Sequence, residues 1–186
     1  MRLKKINAAV SLLTTFFILV HIGYNVFCFL TFYYNPTLKT VTSVPVIFLV
    51  CIHGILGMMS VFLMGDGTKL NTYPKQNIRT VIQRVSAALI FPLLILHINT
   101  FNILKNSSSE EMWPEFILVL ICQVVFYGVI ITHAAVSVTR ALITLGLLSS
   151  PAKQKILDRI IYIAAGLIFI IAAFSIIKGQ ISMFLK

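Results

Sequence analysis

The chain has 186 residues, 59% hydrophobic and only 11% charged, with a mean hydropathy of +0.98. A soluble domain needs far more charge to cover its surface, so this composition reads as an integral membrane protein. The net charge of +10 does not point to nucleic acid, because the basic residues follow membrane topology rather than gathering along one groove.

Five segments are apolar for long enough to cross a bilayer core, which takes about 20 residues. The first is expected from roughly Ile6 to Tyr33. Its start, Met1-Arg2-Leu3-Lys4-Lys5, looks like a signal peptide. The apolar run is too long for an h-region and no small-residue cleavage site follows, so it reads as a membrane helix. The second is expected from about Val46, just after Pro45, to Met64, and the third from Val85 to Leu104. The fourth spans about Phe116 to Ala141 and the fifth about Ile160 to Ile181. Turn-rich connectors separate them: Asn35-Pro36, then Gly65-Asp66-Gly67, Asn106-Ser107-Ser108-Ser109 and Ser149-Ser150-Pro151. The reading is an all-α membrane bundle of five helices forming one domain over residues 1–186.

Lysine and arginine placement sets an expected orientation. Arg2, Lys4 and Lys5, then Lys69, Lys75, Arg79 and Arg84, then Arg140, Lys153, Lys155 and Arg159 fall on one side. The other side has only Lys39, Lys105, Lys178 and Lys186. The positive-inside rule then puts the N-terminus in the cytoplasm and the C-terminus outside. Glu110, Glu111, Glu115 and Trp113 fall in the outer third connector. The sequence has no GxGxxG and no P-loop, so it offers no usual nucleotide site.

Cys28, Cys51 and Cys122 lie inside apolar segments and form no CxxC or CxxCH. They read as buried small apolar side chains rather than as disulfides, cluster ligands or c-type haem attachments.

The histidines carry the chemistry. His21, His53, His97 and His133 fall in four different segments, and the chain has no other. An imidazole in hydrocarbon is costly and usually marks function. One histidine on each of four helices is the ligand number for two bis-histidyl b-type haems. Such haems have no open coordination position, so they transfer electrons.

Neighbouring residues suit that reading on helical geometry. Gly57 lies four residues after His53 on the same face, where a missing side chain admits a flat macrocycle. Arg140 lies two turns after His133, about 10 Å nearer the cytoplasm, within reach of a haem propionate. Ser137, on the turn between, can hydrogen-bond there too. Gln83 and Arg84 lie at the cytoplasmic mouth of the third segment, placed for a propionate or a quinone head group.

Each element has a plainer explanation. A single membrane histidine is often a helix–helix hydrogen-bonding residue, and Gly57 alone can serve close packing. Arg84 and Arg140 alone are ordinary positive-inside anchors. Zinc or copper would want closer ligands, often with a carboxylate or thiolate. A proton-coupled transporter usually carries an embedded carboxylate, and the expected spans hold no Asp or Glu. Four histidines on four helices favour haem.

On these residues the chain resembles the five-helix, di-haem cytochrome b subunit that anchors succinate:quinone oxidoreductases and quinol:fumarate reductases. The resemblance covers nearly the whole chain. Gln83-Arg84-Val85-Ser86-Ala87, leading to His97, is similar to the family's Q-R-x-[S/T]-G stretch. His133-Ala134-Ala135-Val136-Ser137-Val138-Thr139-Arg140 resembles its fourth helix, where a histidine is followed by a small residue and an arginine.

The resemblance implies alternating ligation, with His21 and His97 on the outer haem and His53 and His133 on the inner one. It also implies a quinone substrate, menaquinone in the first instance, and cytoplasmic iron–sulfur and flavoprotein partner subunits. The setting would be a bacterial or archaeal cytoplasmic membrane, with a larger oligomer of the complex open. The dicarboxylate chemistry would belong to the partners. The chain departs from the family in three ways: Ala87 stands at the glycine, His21 and His53 are close in sequence, and the expected spans lack an acidic residue. A di-haem anchor for a different dehydrogenase and a haem-free transporter or assembly protein are the competing readings.

Overall fold

A computed structural model describes residues 2–64, 74–106 and 113–184. The Gly65-Asp66-Gly67 and Ser107-Ser108-Ser109 turns, Lys69, Glu110, Glu111 and Lys186 lie outside these residues. The described chain is all-helical: α1 (Arg2–Thr31), α2 (Pro36–Met64), α3 (Pro74–Asn106), α4 (Trp113–Leu145) and α5 (Pro151–Phe184). All five are long and apolar enough to span a membrane.

Each helix starts before its expected apolar core, although α1 stops at Thr31, short of Tyr33. α2 begins at Pro36 and continues through Pro45. Asn35 caps it, its Oδ1 accepting the amides of Thr37 at 2.9 Å and Leu38 at 3.1 Å. Pro36 fits the first helical position, where no amide partner is needed. Tyr24 pins this turn to α1, its hydroxyl donating to the Asn35 carbonyl at 2.7 Å. α3 starts at Pro74 rather than Val85, so Arg79, Gln83 and Arg84 are interior helical residues. α4 stops at a C-terminal cap. Gly146, at φ 80°, donates to the Ile143 carbonyl, and the Leu147 amide donates to Leu142. α5 starts at Pro151, nine residues before the apolar run, and so includes Asp158. Glu115 lies in the first turn of α4. The helices therefore carry acidic residues outside the expected spans, because polar end turns remain helical beyond the hydrocarbon-length stretch.

α1 packs on α2, α4 and α5, while α4 packs on α3 and α5. The helices thus run α2–α1–α4–α3 in space, with α5 in the seam of α1 and α4. Ile22, Phe29, Ile90, Phe126, Tyr127, Ile130, Ile131, Ala172 and Ile176 form the core of that seam. At Gly179 the α5 backbone comes so close to Phe29 that an added Cβ would collide with its ring. Large apolar side chains such as Phe48, Phe62, Ile95, Leu118, Ile163 and Phe174 point outward, as a lipid-facing surface requires. Cys51 is among the exposed residues and is not buried as its apolar context suggested.

Candidate functional site

The helix pairs α1/α3 and α2/α4 are not among the closely packed pairs of the described residues. Their histidines nevertheless face each other. The rings of His21 and His97 lie 6.3 Å apart, centre to centre, and those of His53 and His133 lie 6.1 Å apart. Both pairs are steeply inclined, at 83° and 64° between ring planes.

The two pairs lie at different levels. His53 meets Asn7 near the start of α1, whereas His21 sits fourteen residues further along it. On α2, Ser43 lies beside His21, ten residues before His53. At 1.5 Å per residue these offsets separate the pairs by about 15 to 20 Å along the bundle. His53 thus lies toward the N-terminal end of α1.

Hydrogen bonds orient three of the four imidazoles. His53 Nδ1 is 2.9 Å from Asn7 Oδ1. His97 Nδ1 is 2.7 Å from Gln123 Oε1. His133 Nδ1 is 3.0 Å from the Gln83 carbonyl and 3.0 Å from Ser86 Oγ. In each case an oxygen stands ready to accept the Nδ1 proton, which leaves the Nε2 lone pair available to a metal. His97 also stacks near Phe126, with centres 4.9 Å apart.

Of the residues expected around the inner pair, Gln83, Ser137 and Arg140 are joined by hydrogen bonds. Arg140 Nη1 donates to Gln83 Oε1 at 2.8 Å, and Gln83 Nε2 donates to Ser137 Oγ at 2.9 Å. Gln83 therefore has two roles: its carbonyl holds His133, and its side chain links Ser137 to Arg140. Arg84 is half-buried on the next position of α3 and stays outside this hydrogen-bonded set. Gly57 is half-buried, and a Cβ built on it would meet nothing within 4 Å.

The donor set at each level would suit a haem iron. Two axial imidazoles on one iron stand about 6 Å apart, from a metal–nitrogen bond of about 2 Å on each side and about 1 Å from nitrogen to ring centre. Both observed separations match that sum. Among the described residues, no three or more His, Cys, Asp or Glu side chains gather into one metal-holding group. The donor set at each level is a pair of imidazoles, the axial complement of a six-coordinate haem iron.

Several polar residues at the site were not singled out from sequence: Asn7, Thr100 and Gln123 beside the histidines, and the pairing of Arg79 with Asp158 at the end of the bundle. Rarity was the available signal, since each is a polar residue in or beside a long apolar stretch. No family model, curated protein or solved structure matches this chain.

Proposed function

We propose that the chain is the di-haem cytochrome b anchor of a succinate dehydrogenase or fumarate reductase, in a bacterial or archaeal cytoplasmic membrane. The observation that carries this reading is the pairing of four histidines at two levels, at separations suited to axial ligation. His21 and His97 would hold the outer haem, and His53 and His133 the inner one. When bound, haem supplies a reversible one-electron iron couple.

The chain's own residues orient and balance that group. Asn7, Gln123 and the Gln83 carbonyl hold three imidazoles with Nε2 free. Arg140, held by Gln83, offers a cation to the inner propionates, and Ser137 a hydroxyl beside it. Gly57 leaves room for the flat ring system near His53. The N-terminus faces the cytoplasm by the positive-inside rule, which puts the Arg79, Arg84 and Arg140 end of the bundle on that side. That end would dock the iron–sulfur subunit, which serves a flavoprotein. Quinone, with menaquinone the first candidate, would be the membrane-side substrate.

The test is a reduced-minus-oxidised optical spectrum and a haem-to-protein ratio on the purified protein. About two b-haems per chain are expected, and co-purifying iron–sulfur and flavoprotein subunits identify the complex. A colourless protein that takes up no added haem would overturn the proposal. Two haems with a different soluble partner would keep the electron wire and reassign the complex.

A further inference from the structure

The four histidines do not have equivalent surroundings, and the outer pair shows this most clearly. The Thr100 hydroxyl donates to the Leu96 carbonyl at 2.9 Å, so its oxygen is left only to accept. Gln123 Nε2 donates to that oxygen, which turns Gln123 Oε1 toward His97 Nδ1 at 2.7 Å. Oε1 can only accept, so His97 must carry its proton on Nδ1 and its lone pair on Nε2. Gln123 and Thr100 are each only 2% exposed, so no water competes for these bonds.

His21, across the same level, has no such lock. The Asn25 amide nitrogen donates to the His21 carbonyl at 2.7 Å, which directs N–H donors toward the ring, 3.4 Å from Nδ1 and 3.2 Å from Nε2. Ser43 Oγ is 3.5 Å from His21 Nδ1, at the outer limit of a hydrogen bond. The inner pair has both rings held, His53 by Asn7 and His133 by the Gln83 carbonyl.

On the di-haem reading, we infer that Gln123 is the positioning residue of the outer haem site and Asn7 that of the inner one. Each holds its imidazole in the tautomer that presents Nε2, and each makes that imidazole a stronger donor to iron. The outer site has one locked ligand, His97, so it depends on Gln123 alone. The inner site keeps His133 locked when Asn7 is lost.

Gln123→Met preserves side-chain length and removes the acceptor. In the purified haem-loaded protein it should raise the midpoint potential of the outer haem and weaken retention of that haem by 10–100-fold, the usual cost of an outer-shell partner. The inner haem should keep its potential. Gln123→Glu, which retains an oxygen at that place, should restore retention. It also serves if the Met variant does not assemble. Asn7→Leu should shift the inner haem alone, and less severely.

Two haems with unmoved potentials and unchanged retention in Gln123→Met would overturn this inference while leaving the cytochrome reading intact. A wild-type protein that binds no haem would overturn the cytochrome reading itself, and this inference with it.

Discussion

Arg79 and Asp158 meet as a bidentate ion pair, Nη1 to Oδ2 at 3.0 Å and Nη2 to Oδ1 at 2.8 Å. The same guanidinium donates through Nε to the Val136 carbonyl at 3.2 Å. One side chain from α3 thus stitches α4 and α5 together. Both side chains are 23% exposed, so the pair is neither a solvated surface contact nor a fully desolvated one. Asp158→Ala should cost about 1–2 kcal/mol, between the exposed and buried cases. Arg79→Lys should recover little of that loss, because an ammonium cannot reproduce the planar fork. Thermal unfolding in detergent reads both variants, and an unchanged melting temperature in Asp158→Ala would count against the stitch.

Histidine substitutions should act in pairs. His21→Ala and His97→Ala should remove the same haem band, and His53→Ala and His133→Ala the other one. Low-temperature difference spectra separate two b-type bands. Loss of different bands by His53→Ala and His133→Ala would contradict the pairing.

Arg140 should tune the inner haem through charge. A cation beside that site favours the reduced form, so Arg140→Leu should lower the inner midpoint potential. A tenfold change in the one-electron equilibrium corresponds to about 59 mV, which bounds the expected shift. The His21/His97 pair lies about 15 to 20 Å away along the bundle, so a haem held there should not respond. A redox titration that moves both haems equally would instead indicate a general disturbance of the fold.

Two glycines should respond in opposite ways. At Gly179 an added Cβ collides with the Phe29 ring, so Gly179→Ala should destabilise the α1–α5 contact by about 1–3 kcal/mol. At Gly57 an added Cβ meets nothing, so Gly57→Ala should leave the melting temperature unchanged. Gly57→Leu should selectively lower inner haem content without loss of folded protein. Measuring haem ratio and melting temperature on the same samples distinguishes a blocked site from a broken helix contact.

The membrane class, the number of helices and the histidines were readable from sequence because each rests on a gross cost, the exposure of polar groups to hydrocarbon. Asn35-Pro36 was readable as a break and proved to be the capped start of α2. Helix ends were less legible, since hydropathy marks where a helix meets lipid and not where its backbone bonds stop. Asp158 escaped for that reason. The orienting amides escaped for another. Asn25 and Asn99 bond carbonyls four residues back on their own helices, while Asn7 and Gln123 bond histidines on other helices. Nothing local in the chain distinguishes these two uses. His53 illustrates the same limit: only its partner on α1 reveals its depth.

The helices whose histidines pair, α1 with α3 and α2 with α4, are neither consecutive in the chain nor closely packed on each other, and this orders the protein's biogenesis. During synthesis His21 has no opposite number until His97 has been translated, and His53 waits for His133, eighty residues later. α3, which brings His97, rests chiefly on α4. A nascent chain halted after its second span would therefore have neither pair, and one halted after its third would still lack the partner of His53. On the di-haem reading the inner site closes only when the fourth span is in place, so a cofactor there would act as a late clasp on an already threaded bundle rather than as a template for its insertion.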